Sequence, residues 1–89
     1  MKRILAIDQG TTATKCYTLD TDSHFVFCGS TEHRQIYPQP GWVEHDPEML
    51  LDNILTSIEA AIDIEAIGID NQGETVVAWD AASGIPVYN

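Results

Sequence analysis

The stretch DQGTTATK at positions 8–15 places an acid, a glycine, three threonines and a lysine in eight positions. Such a run offers backbone amides, hydroxyls and one ammonium group to an anion, and its acid suits the hydration shell of a magnesium ion. Three chemistries compete for it: a damaged nucleotide-binding P-loop, a different phosphate cradle, and a plain solvated turn. A P-loop needs a second glycine directly before its lysine and a helix after it. Thr14 stands at that glycine position, and KCYTLD (15–20) alternates like a strand. The P-loop is therefore excluded. What remains is a β-hairpin tip in which Gly10 is expected to take positive φ, so that amides converge on an anion while Thr11, Thr12 and Thr14 add hydroxyls and Lys15 adds charge. The same residues also suit an ordinary polar turn, and both readings stay open on these positions alone.

The flanking sequence fixes what would hold this turn. ILAI (4–7) is a short apolar run ending at Asp8, which predicts a buried strand. KCYTLD continues as a second strand, TDS (21–23) reads as a turn, and HFVFCGS (24–30) supplies a third strand, so a three-stranded antiparallel meander is expected. IYPQPGW (36–42), with two prolines and a glycine, is an irregular connection. A helix follows: Asp46 suits its cap, Pro47 its first position and Glu48 its positive end. Leu51, Ile54, Leu55, Ile58 and Ile62 recur at spacings of three and four, predicting one apolar stripe that faces a sheet. EAIGID (65–70), TVVAW (75–79) and IPVYN (85–89) read as further strands, the last two separated by a DAASG turn. The fold class is α/β, with a mixed sheet built from the meander, a crossover helix and further strands. The chain reaches Asn89 without a terminating element, so more protein is expected beyond it.

Composition narrows the partners. The 89 residues make at most one small domain, burying roughly 60–65% of its unfolded surface. A hydrophobic fraction of 44% and a charged fraction of 20% are those of a folded protein. Fourteen acids against four bases give a formal charge of −10, which speaks against nucleic acid and an anionic membrane as partners. Any phosphate must then be held locally, by amides, hydroxyls, a few cations and a divalent metal. No segment approaches the roughly 20 apolar residues that span a bilayer, and the apolar run before Asp8 is too short for a secretion signal. Cys16 and Cys28 lack metal-ligand spacing and read as free thiols, so a cytoplasmic location is expected.

LAIDQGTTATK, IYPQPGWVEHDPEMLLDNI, and IGIDNQGETVVAWD with SGIPVYN together resemble the start of the glycerol kinases, within the FGGY family of carbohydrate kinases. The likeness runs from about Ile4 to Asn89. It implies a ribonuclease H-like core of the actin and hexokinase type, with residues 1–89 forming part of an N-terminal domain whose remainder, like the whole C-terminal domain, lies outside this chain. It also implies an ATP- and Mg2+-dependent phosphotransferase of carbohydrate metabolism, acting on a small polyol or sugar, chiefly glycerol to glycerol 3-phosphate, and a homo-oligomeric full-length protein. Carried over by motif, Asp8 organises magnesium through water, and Gly10, Thr11, Thr12, Ala13 and Lys15 contact nucleotide phosphate. Gly73 and Glu74 fall on the polyol-binding positions. The sequence departs from the family at Ala13, where serine is common, at Lys15, where arginine is usual, and at Gly73, where arginine is typical. Lys15 keeps the charge but loses the bidentate fork. Gly73 implies either glycerol with replacement donors from elsewhere, a pocket enlarged for a bigger polyol or ketose, or loss of function.

The catalytic base of the family lies beyond residue 89, so no catalytic residue is expected here and the isolated chain is expected to be inactive. A noncatalytic truncated fragment and a sugar-binding module without nucleotide are the alternatives from other classes. Trp42 is expected to pack beneath the proline-rich connection. His24, His33 and His45 lack metal spacing and are read as surface or turn histidines. Glu44 and Asp46 look like paired carboxylates, but Asp46 is better explained as the helix cap.

Overall fold

The structure, a computed structural model, describes residues 2–89. Strand β1 (Arg3–Gln9) pairs antiparallel with β2 (Ala13–Asp20), and β2 pairs antiparallel with β3 (Phe25–Glu32). Helix α1 (Pro47–Ala60) then crosses over so that β4 (Ile64–Asn71) lies parallel to β1, closing a sheet in the order β3-β2-β1-β4. The meander and the mixed sheet are as the alternating patterns required. The last two strands are shorter than expected and leave the sheet: β5 (Ala78–Trp79) and β6 (Pro86–Tyr88) form a separate small hairpin. Thr75, Val76 and Val77 are therefore not strand, although their β-branched side chains favour one.

Period-two alternation sorts β1 into two faces. Leu5, Ile7 and Gln9 are buried on the helix side, whereas Ile4 and Asp8 are exposed on the other. Leu5, Ile7 and Cys16 form the core, against which Ile54, Ile58, Ala61 and Ile64 pack. The helix starts where its sequence signals it, with the Asp46 carboxylate accepting from the Glu48 amide at 3.0 Å and Pro47 in the first turn.

Its buried face differs from the expected stripe. Leu50, Asn53 and Ser57 are the buried helix residues, with Ile54 and Ile58 beside them, while Leu51 and Leu55 are exposed. Ile62 lies beyond the C-cap at Ala61 and is also exposed. The two polar residues on this face have partners. Asn53 Nδ2 donates to the Glu32 carbonyl at 3.4 Å and Ser57 Oγ donates to the Asn53 carbonyl at 3.0 Å. Trp42 also departs from expectation, being 48% exposed rather than packed beneath the connection.

The helix packs mainly on β1 and β2. The shortest extent, 19 Å, is that of one sheet and one helix, roughly 10 Å each. On the opposite face Tyr17 stacks on Phe25 at 4.8 Å and meets Phe27 edge-on at 5.5 Å, yet both phenylalanines are more than half exposed.

Two neighbouring leucines test the helix orientation. Leu50→Ala should cost about 2 kcal/mol or more in urea unfolding and Leu51→Ala less than about 0.5 kcal/mol. The reverse order would restore the hydrophobic stripe as the buried face.

Candidate functional site

The β1–β2 connection forms the hairpin tip. Gly10 N–H donates to the Ala13 carbonyl at 2.9 Å. This closes the turn without left-handed backbone at Gly10, because the glycines with positive φ among the described residues are Gly29, Gly41 and Gly84. The expectation for Gly10 is thus corrected: its amide is engaged inside the turn, and a Cβ there would stand 3.4 Å from the Ala13 oxygen. Among the described residues, no backbone carbonyl outside the regular ladders accepts from the amides of Thr11 or Thr12. Thr11, Thr12 and Lys15 are exposed, while Ala13 is buried. Thr14 is turned inward at 1% exposure with its hydroxyl unpartnered, so it adds no donor to the outer face of the turn.

Asp8 stands in register between Lys15 on β2 and Asp70 on β4. Asp8 and Asp70 line one open concavity of about 420 Å³ together with Ala6, Tyr17 and Gly68. Like charges directly opposite each other on adjacent strands repel. Two exposed carboxylates at one strand end, with an ammonium beside them, are an oxygen donor set that suits a hydrated divalent cation and whose repulsion such a cation would relieve. Asp70 was legible only as an acid at a strand end; the parallel register is what places it next to Asp8.

Behind the tip runs a polar chain that starts at the Thr11 carbonyl and becomes buried at His33, His45 and Gln72. His33 Nε2 lies 2.7 Å from that oxygen and Gln35 Nε2 donates to it at 2.6 Å. Because the carbonyl only accepts, His33 must carry its proton on Nε2. Gln35 Oε1 in turn meets His45 Nε2 at 2.7 Å, and Gln72 Nε2 meets His45 Nδ1 at 2.9 Å. His45 is therefore an Nε2–H tautomer that accepts at Nδ1. The two rings meet edge-on, 4.6 Å apart, and the His33 amide donates to the Thr12 carbonyl at 3.1 Å. His24 is exposed, as expected, but His33 and His45 are buried at 7% and 6% exposure, which corrects their reading as surface histidines. No spacing rule finds them, because their partners lie as far as 27 residues away.

Gln72 carries this chain to the segment after β4. Gly73 and Glu74 are exposed there, and Thr11 Oγ1 donates to Glu74 Oε1 at 3.4 Å across 63 residues of sequence. The hairpin tip and Glu74 are thus neighbours. Glu74 lines a second concavity of about 310 Å³ with Glu44, His45, Thr75, Tyr88 and Asn89. Glu44 Oε2 accepts from the Tyr88 hydroxyl at 3.2 Å, which raises the Tyr88 pKa. A wall with two carboxylates accepts hydrogen bonds from a polyhydroxylated ligand. Gly73 has ordinary φ, and no atom lies within 4 Å of where a Cβ would stand, so the backbone does not demand glycine.

Residues 3–89 match the FGGY family of carbohydrate kinases, N-terminal domain. The glycerol kinase of Corynebacterium glutamicum is 47% identical over 94 residues, covering 97% of this chain and 18% of that relative. Glycerol kinase 1 of Saccharolobus solfataricus is 48% identical, covering 99% and 19%. Among solved structures, Plasmodium falciparum glycerol kinase with ADP superposes with a TM-score of 0.81 at 35% identity, over 100% of this chain and 20% of that one. The ligand-bound xylulose kinase of Lactobacillus acidophilus gives 0.87 at 26% identity, over 100% and 19%. The chain spans about a fifth of the length of the curated relatives it matches. The α/β fold is that of these kinases, of the actin and hexokinase type.

Burial, and then the charge of His33, lowers the pKa of His45 from its ordinary value near 6.5, with Glu74 opposing. The unfolded chain therefore takes up this proton at higher pH than the folded one. Stability should hold above about pH 6.5 and fall as the pH drops below it. Asp20 and Asp80, held low mainly by backbone N–H donors from His24 and Ser83, add to the loss only in the carboxylate range. His45→Gln should flatten the drop between about pH 6.5 and 5 in urea unfolding, while costing about 1–3 kcal/mol near pH 8. An unchanged slope would remove His45 as its source.

Proposed function

The chain belongs to the FGGY family of carbohydrate kinases, and from that premise we propose that the full-length protein transfers the γ-phosphoryl group of ATP to a hydroxyl of a small polyol or sugar, foremost glycerol, giving glycerol 3-phosphate. The observation that carries this reading is the contact between Thr11 Oγ1 and Glu74 Oε1 at 3.4 Å, which brings the phosphate turn to the hydroxyl-accepting carboxylate. Residues 1–89 supply the first part of the N-terminal domain of a cytoplasmic, homo-oligomeric enzyme.

Each residue has a role in this scheme. The amides of Thr11 and Thr12 and the Thr11 hydroxyl cradle phosphate oxygens, Gly10 and Ala13 close the turn that presents them through their mutual hydrogen bond, and Lys15 adds an unforked positive charge. Asp8, with Asp70 beside it, holds Mg2+ through water; the bound ion supplies charge neutralisation on the phosphates. Glu74 accepts from the hydroxyls of the acceptor and orients it, and the Gly73 backbone borders the same site. Such transfer rests on positioning and charge stabilisation, because the phosphoryl group passes between two in-line oxygens with little covalent work for the protein. The proton of the attacking hydroxyl goes to a carboxylate base from the rest of the protein, so the 89-residue chain alone is inactive.

Gly73 favours a second reading, phosphorylation of a larger polyol or ketose. Its ordinary backbone and the open space around it leave room that an arginine would fill. A substrate panel on the full-length protein decides between the two, by ADP release with glycerol, tetritols, pentitols and pentuloses. Glycerol giving the highest kcat/KM supports the first reading, and a pentitol or pentulose giving it supports the second. Gly73→Arg should raise kcat/KM for glycerol about tenfold to a hundredfold, the worth of one charged hydrogen bond, and depress it for the larger substrates. No ADP release with any member of the panel would overturn the kinase proposal.

A further inference from the structure

Cys16 and Cys28 lie on adjacent strands with their sulfurs 2.9 Å apart, the Cys28 thiol donating to Cys16 Sγ. Chance alternation does not produce this approach. In the β2–β3 ladder Cys16 pairs with Gly29 and Tyr17 with Phe27, so Cys28 is the extra residue of a β-bulge. In an unbroken ladder Cys28 would oppose Tyr17 and point to the aromatic face. The bulge instead re-aims it to the helix face, beside Cys16. A concavity of about 250 Å³ opens onto both sulfurs, lined also by Arg3, Thr18, Val26 and Ser57.

We propose that Cys16 and Cys28 are an oxidative modification site, a dithiol that a peroxide converts to an intrachain disulfide and a small thiol restores. Each thiol gives up its hydrogen, one S–S bond forms, the peroxide O–O bond breaks and two waters leave; the two sulfurs together lose the two electrons that the peroxide gains. The bond would fix the bulge next to Lys15 at the base of the hairpin. Although Cys28 is exposed as a residue, partial desolvation of its sulfur and the hydrogen bond to Cys16 push the thiol up to about 11. Little thiolate exists at neutral pH, so oxidation is slow there and accelerates as the pH rises. Arg3 is the one charged side chain lining the concavity.

The full-length protein treated with hydrogen peroxide should yield a peptide joining Cys16 to Cys28 that is lighter by two hydrogens, is separated by dithiothreitol, and forms faster at higher pH. Phenylarsine oxide, which bridges two close thiols, should bind the untreated protein with one equivalent more than it binds Cys28→Ser. The arsenical measurement needs only the native fold, which the melting temperature of Cys28→Ser verifies. The proposal is overturned if both cysteines remain alkylatable after peroxide, if they proceed only to sulfinic acid or intermolecular bridges, or if the extra equivalent is missing. None of these readouts depends on kinase activity.

Discussion

The carbonyl oxygen of Thr11 is the point on which the candidate site depends. It takes hydrogen bonds from His33 and Gln35, so the carbonyl side of the residue is fixed while its hydroxyl reaches Glu74. Gln35 passes the constraint to His45, and His45 passes it to Gln72, immediately before Gly73 and Glu74. Each such bond is worth only about 0.5–1.5 kcal/mol net, but leaving the buried His33, His45 or Gln72 unpaired costs more. A partly buried, directional chain therefore holds the hairpin tip and the Glu74 segment in one arrangement. Two elements far apart in sequence act as a single site because a polar network, not an apolar core, joins them.

This use of polar groups explains what the sequence disclosed and what it concealed. The strands around Asp8, the capped start at Asp46 and the crossover to β4 follow from alternation and capping, which are local. The register that sets Asp70 beside Asp8 is not local, nor is the burial of His33 and His45, whose partners come from three separate segments. The helix face is likewise not set by local spacing: hydrophobic periodicity selects Leu51 and Leu55, while Asn53, which reaches the Glu32 carbonyl on β3, and Ser57, which bonds back to the Asn53 carbonyl, take the inward positions. Gly10 invited a left-handed turn, but a bond to Ala13 closes the turn with ordinary φ. Where a residue type admits two conformations, the local sequence names the turn without choosing its geometry.

The sheet is covered on one face only. Tyr17, Phe25 and Phe27 cluster on the other, and Leu51 and Leu55 stand exposed on the helix. Solved chains about five times as long superpose on this fold and include kinases named for glycerol, xylulose and gluconate. The fold is therefore silent on the acceptor; in the proposed reading, discrimination falls to Glu74 and the missing side chain of Gly73.

The central claim is that the hairpin tip, with Asp8 at its base, binds nucleotide phosphate together with magnesium. Calorimetric titration of the full-length protein with ADP, with and without Mg2+, tests it most directly when repeated on Asp8→Ala. Binding should strengthen with magnesium in the parent protein, and Asp8→Ala should lose that gain, at least about tenfold in Kd. Equal affinity of both proteins for Mg-ADP would contradict the claim and return the turn to an ordinary solvated hairpin.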